Sequence, residues 1–244
     1  MPELSYLPAL LVAAFVHGAF GFGFPMVATP LLALQTDMRS AVLLTLVPTV
    51  TINLVSILSE RHWREALRAY WPIPAFTIVG SVTGTQLLLS VDPEPFRLLL
   101  ALVLVAYLAS DRFHRSQREH HVPGWGMALF GLGLGLLAGV VNIFAPLLVA
   151  YALYTGMPTI LMVATFNLSF ITSKSGQILG FIAHGSFDPA VVQLTLVLLP
   201  LILLALWLGI WVRRRIAVES YRRLLRVGLW AMAVLLIVDW AIGT

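Results

Sequence analysis

The chain has one lysine, Lys174, and it lies about fifteen residues into an apolar stretch running from 159 to 183, within Thr172-Ser173-Lys174-Ser175-Gly176-Gln177. An ionisable side chain at that depth of a membrane helix costs at least ~2.5–3.5 kcal/mol to insert and typically marks a pathway or a site. Positions seven before and three after share its helical face, which sets Asn167 and Gln177 beside it, with Ser173 adjacent. Acidic residues avoid the middle of every apolar segment, Asp239 lying near the end of the last one. An anionic ligand is then the missing counter-charge. The competing reading is a lysine that snorkels to the interface along its own stem.

Two breaks supply a second kind of chemistry. Gly21-Phe22-Gly23-Phe24-Pro25 interrupts the first apolar stretch, and Gly139-Val140-Val141-Asn142 precedes Pro146 much later in the chain. A half-helix that starts at depth offers unpaired N–H groups and the positive end of its dipole, a ready anion site. Gly23, Phe24 and the residues to Val27 form one such set, Asn142 to Leu147 the other. Pro25 and Pro146 suit a first turn, where a missing N–H costs little. The alternative is a pair of ordinary kinks sealed by neighbouring helices. His17, just before the first break, titrates near neutrality in water and is the one candidate proton relay, or else a hydrogen-bonded structural residue. Thr45, Thr49, Asn53 and Ser56 make a polar stripe at helical spacing, matched later by Thr165, Ser169, Thr172 and Gly176. Together they suggest a shared polar lining, although hydroxyls of this kind also bond carbonyls within their own helix.

The elements that must position these residues belong to a membrane. Of 244 residues, 59% are hydrophobic, above the share found in soluble domains. Five segments recur in each half, at about 4–21, 25–35, 40–59, 69–90 and 95–110, then 125–141, 145–154, 159–183, 189–212 and 222–243. Segments three to five of each half are long enough to span the hydrocarbon core. The second is not, since ten residues rise only ~15 Å. Short matches tie the halves together: Pro30-Leu31-Leu32 with Pro146-Leu147-Leu148, and Glu94-Pro95-Phe96-Arg97 with Glu219-Ser220-Tyr221-Arg222. Ordered internal duplication in an apolar chain points to a transporter built from two repeats, with its site between them.

The expected fold is an all-α polytopic membrane protein of two inverted repeats, each a broken or re-entrant helical hairpin plus three transmembrane helices. Residues 1–110 form the first repeat, 111–124 a cytoplasmic linker and 125–244 the second. Arginines fix the sidedness. Arg61, Arg64 and Arg68, then Arg112, Arg115 and Arg118, then Arg213 to Arg226 share one face if each hairpin crosses an even number of times. Both termini are then outside, and the first apolar run stays in the mature chain because no positive start precedes it. The net charge of +4 therefore expresses topology rather than affinity for nucleic acid. With no cysteine, thiol catalysis and thiolate metal sites are excluded. No cofactor or metal is called for, and oligomeric state is not encoded in any feature of the sequence.

The ordered motifs resemble the sulfite exporter (TauE/SafE) permeases. The resemblance rests on Gly18-Ala19-Phe20-Gly21-Phe22-Gly23, Pro30-Leu31-Leu32, His62-Trp63-Arg64, Val79-Gly80-Ser81-Val82-Thr83-Gly84 and Gly185-Ser186-Phe187-Asp188, and covers essentially the whole chain. It implies a bacterial inner-membrane permease moving sulfite or small organosulfonates, usually outward. The partners are then a small sulfur-containing anion and the lipid bilayer. The second half departs from the glycine-rich opening at Val140-Val141-Asn142-Ile143-Phe144. With the interior negative, each negative charge leaving gains ~2.3 kcal/mol per 100 mV, so export can run without a coupling ion. Rival readings are an anion channel, an importer on the same scaffold, and an intramembrane hydrolase using a serine with Lys174. Ser173 and Ser175 themselves lie off the lysine's face.

Overall fold

A computed structural model describes residues 5–59, 62–92, 94–110 and 120–213, together with 227, 230, 231, 233–238, 240 and 241. All regular structure among these residues is helical: α1 Leu7–Phe20, α2 Phe24–Ala33, α3 Met38–Ser59, α4 Trp63–Tyr70, α5 Pro72–Ser90, α6 Glu94–Ser110, α7 Gly124–Val141, α8 Ala145–Thr155, α9 Thr159–Ala183 and α10 Pro189–Arg213. The protein is a polytopic membrane protein. Four of these helices, α3, α5, α7 and α10, are long and apolar enough to cross a bilayer by length and composition. At 25 residues α9 is as long as α10, but it carries the polar side chains of the interior. The segment expected at 222–243 falls largely outside the described residues, as do the linker arginines Arg112, Arg115 and Arg118 and the cluster Arg214 to Arg226.

Both breaks are real, and they are built alike. Gly21 ends α1 at φ 84° and its N–H bonds the His17 carbonyl at 2.7 Å. Asn142 ends α7 at φ 63° and bonds the Ala138 carbonyl at 2.9 Å. Each is a left-handed terminus of the kind glycine and asparagine favour. Three residues later a short helix restarts, α2 or α8, with proline in its first turn. Asn142 is the one described non-glycine residue at positive φ, a conformation that asparagine tolerates better than most.

Glycines set the helix packing. A Cβ on Gly80 would stand 2.1 Å from the Leu132 carbonyl oxygen, and one on Gly135 would stand 2.3 Å from that of Thr77. The backbones of α5 and α7 therefore touch, as small residues allow in lipid, where dispersion rather than hydrophobic force joins helices. The same device joins α1 to α10 through Gly18, facing the Leu206 oxygen at 2.2 Å, and Gly209, facing the Phe15 oxygen at 2.1 Å. Helices α3 and α9 pack against each other. The α1–α10 and α5–α7 pairings, and that of α3 with α9, map onto one another when α1, α3 and α5 are exchanged for α7, α9 and α10. Large apolar side chains on the outside, Leu58 at 74% exposure and Val197 at 70%, would face lipid chains.

Two connections add to what the sequence suggested. Residues 63–70 form a separate short helix, α4, where a connection was expected. It buries Ala66 and exposes Arg64, Glu65 and Arg68, packing on α9. Asp37 caps α3: its carboxylate accepts the N–H groups of Arg39 at 2.8 Å and Ser40 at 3.1 Å and the Ser40 hydroxyl at 2.6 Å. Burial pushes the Asp37 carboxyl up, but these hydrogen bonds outweigh it and hold the group below its ordinary value.

Candidate functional site: a caged ammonium between two broken helices

Lys174 is fully buried. Its Nζ donates to Gln177 Oε1 at 2.6 Å, to Thr45 Oγ1 at 3.3 Å and to Asn142 Oδ1 in a short contact. These three acceptors match the three N–H bonds of an ammonium. The partners are themselves saturated. Asn142 Nδ2 donates to Thr29 Oγ1 at 2.8 Å and to Thr45 Oγ1 at 2.7 Å, while Gln177 Nε2 donates to the Ala138 carbonyl at 2.8 Å. The Thr45 hydroxyl gives its own proton to the Val42 carbonyl at 2.7 Å. Every amide orientation is thereby fixed, with both oxygens turned to the cation. Among the described residues the cage offers the lysine only neutral oxygens and holds no carboxylate.

The first break is wired differently. The Phe24 N–H, first of α2, points to His17 Nδ1 at 3.4 Å, and His17 Nε2 lies 3.1 Å from Ser56 Oγ. With Nδ1 accepting, Nε2 carries the proton and donates to the serine. His17 thus caps the half-helix and takes up a donor that an anion would need. Asn167 does not reach Lys174. Seven residues share an azimuth but lie about 10 Å apart along the axis, and Asn167 Nδ2 instead donates to the Gly21 carbonyl at 3.4 Å. Asn53 Nδ2 donates to the Thr49 carbonyl at 2.7 Å. The amide oxygens of Asn53 and Asn167 and the hydroxyl of Ser169 are buried without a partner among the described residues. A guanidinium nitrogen of Arg213, an exposed residue, comes within 3.5 Å of where a Cβ on Gly21 would stand.

Aromatic rings join the two breaks along α9. Phe22 stacks on Phe166 with centroids 4.7 Å apart, Phe166 lies 6.3 Å from Phe170, and Phe144 tilts onto Phe170 at 4.3 Å. Phe166, Phe170 and Lys174 follow at intervals of four, so the ring column leads straight to the ammonium. Ser173 and Ser175 bond the Phe170 and Ile171 carbonyls of their own helix, each at 3.0 Å. Neither hydrogen-bonds Lys174, so these two serines form no serine–lysine pair. No cluster of His, Cys, Asp or Glu able to hold a metal occurs among the described residues.

The sequence-family comparison is decisive: the family model for the sulfite exporter TauE/SafE matches residues 6–236. The chain belongs to that family. Comparison with curated proteins and with solved structures returned no match. As a TauE/SafE protein it is a multi-pass membrane permease of a sulfur-anion transporter family. Of the residues singled out from sequence, this TauE/SafE chain brings Lys174, Gln177 and Asn142 together at the second break. It gathers Gly23, Phe24, His17 and Asn167 at the first, and leaves Asn53 and Ser173 bonded within their own helices. Sequence reasoning did not find Thr29 as a partner of Asn142. The signal was faint: one threonine in a ten-residue apolar helix.

Proposed function

We propose that this permease exports small sulfur-containing anions, sulfite or an organosulfonate, across the bacterial inner membrane, and that the anion binds at the second break against Lys174. The observation that carries the reading is the caged ammonium, buried among neutral oxygens with no acidic partner among the described residues. All three of its donors are engaged, so an incoming anion must replace one acceptor. Thr45, the longest contact at 3.3 Å, is the one to yield, since it keeps its bonds to Asn142 and Val42. The exchange substitutes an ion–ion contact for an ion–dipole one in a dry site, where charge attraction is strong.

The exchangeable packing of α1–α10 with α7–α5, and the matched left-handed termini at Gly21 and Asn142, support two inverted repeats, and the arginine distribution supports both termini outside. One repeat moving against the other then gives alternating access. In this reading Gly23, Phe24, Asn53 and Asn167 line the far end of the path, and the unpartnered oxygens there hold water rather than the anion. Outward flux follows the membrane potential. The test measures binding of sulfite, thiosulfate, taurine and sulfoacetate to purified protein. Anion efflux from vesicles is then followed with the potential clamped and the pH gradient collapsed in separate runs. Saturable efflux driven by potential is the expected result; efflux that ignores potential and tracks the pH gradient overturns the uncoupled mode.

A further inference from the structure

Between the exposed cation Arg213 and the buried cation Lys174 stands the ring column, and its outermost member is built to move. Phe22 is flanked by Gly21 at φ 84° and Gly23 at φ 104°. Both are conformations that side-chain-bearing residues rarely adopt, and glycine has wide backbone freedom there. A Cβ on Gly23 would meet nothing closer than the flexible Met26 Cε at 3.9 Å, so the loop has room on that side. The other rings are locked: Phe144, Phe166 and Phe170 are at most 1% exposed, whereas Phe22 is only partly buried. The column thus has three fixed rings and one hinged ring at its open end, next to the Arg213 guanidinium.

We infer that Phe22 is an aromatic gate on the anion path, closing the route from Arg213 to Lys174 when stacked on Phe166 and opening it by rotation about Gly21 and Gly23. This rests on the proposed anion site at Lys174. Arg213 draws anions to the mouth, the stacked rings keep the site dry, and release of the Phe22–Phe166 contact admits or discharges the ion. The Phe24 N–H held by His17 anchors the start of α2, which confines the motion to the Gly-Phe-Gly turn.

The absence of native cysteine makes a direct test possible. Thr45→Cys places a single thiol beside Lys174, and its modification by thiol reagents is timed from each face of sealed vesicles. Anionic and neutral reagents of equal size are used in parallel. Phe22→Ala should speed labelling about tenfold, the factor that loss of one ring–ring contact corresponds to, and only from the face bearing Arg213. Phe22→Trp, which keeps a stacking ring, should label at the parental rate. Phe22→Leu serves where the alanine variant does not fold and should show the same acceleration. Equal rates with and without the ring, or acceleration from both faces alike, overturn the gate. The neutral reagent reads the path whether or not Lys174 attracts anions. Loss of anion preference with the acceleration intact would therefore count against the anion site and for the gate.

Discussion

Lys174→Met removes the charge while keeping the length and flexibility of the stem. An anion seated about 4 Å from the ammonium, at an effective dielectric near 20, gains about 4 kcal/mol of attraction. Part of that is offset because the Thr45 contact is given up, an exchange on the order of 1.5–3 kcal/mol for a hydrogen bond to a charged group. The net loss expected for the variant is therefore about 1–2.5 kcal/mol, or roughly 5- to 60-fold in affinity. Stability should fall by a comparable amount. Replacing a buried ion with an apolar side chain is often neutral, but Gln177 Oε1 loses its lysine donor, which costs about 1–3 kcal/mol. Calorimetric titration of sulfite into purified protein, beside a thermal unfolding scan of the same samples, reads both quantities. A folded Lys174→Met protein that binds sulfite as tightly as the parent would refute the argument, whatever its transport rate.

Asn142→Asp tests the missing counter-charge from the other side. A carboxylate among the atoms that now bond Lys174, Thr29 and Thr45 should leave unfolding unchanged or raised, yet abolish anion binding by competing for the ammonium; tight sulfite binding in this variant counts against the site. At the α5–α7 contact, Gly135→Ala drives a methyl to 2.3 Å from the Thr77 oxygen, whereas Gly133→Ala meets nothing within 4 Å. The first should lose most of its yield of monodisperse protein in detergent and the second should match the parent, and equal yields would refute backbone contact there. Asp37 gives a pH dependence of defined sign. Its folded-state value is depressed, so its stabilisation is fully present above the unfolded-state value and is lost as pH falls through the folded one. Acid unfolding of Asp37→Asn should therefore lack that component, and curves parallel to the parent's across the acid limb would exclude the cap as its source.

Much of the fold was legible because a bilayer imposes a simple grammar. Length and apolarity locate helices, and glycine with proline locates breaks, so the ends of α3, α5, α8, α9 and α10 fall within a few residues of the expected segments. What escaped was amphipathic or three-dimensional. The α4 sequence Trp63-Arg64-Glu65-Ala66-Leu67-Arg68 is too charged to register as apolar and too short to register as a span. Its helix is stabilised by lying on α9 rather than by its own propensity. The Lys174–Gln177 contact was legible because i and i+3 are neighbours on any helix. The Asn167 placement failed because helical azimuth ignores the rise between turns. Thr29 and Thr45 meet Asn142 only after three separate helices have packed, and no spacing rule connects residues 97 and 113 positions apart.

In the proposed two-repeat reading, the two breaks differ in their chemistry. Gly21 and Asn142 occupy matching left-handed termini 121 residues apart, and the same interval relates Asn53 to Lys174, Ser56 to Gln177 and His17 to Ala138. In the second half the terminus carries an amide that reaches three helices, and the facing position carries a cation. In the first half the terminus is bare glycine, the facing position is a neutral amide, and an imidazole covers the N–H of the restarting helix. Backbone geometry is thus shared while donors and charge are concentrated at one break. A symmetric pair of anion cradles, as the sequence suggested, would need free donors at both, and His17 removes one of them. The proposed gate uses the glycine freedom of the first break, a property suited to passage. The proposed anion site uses the saturated cage at the second, a property suited to holding an ion.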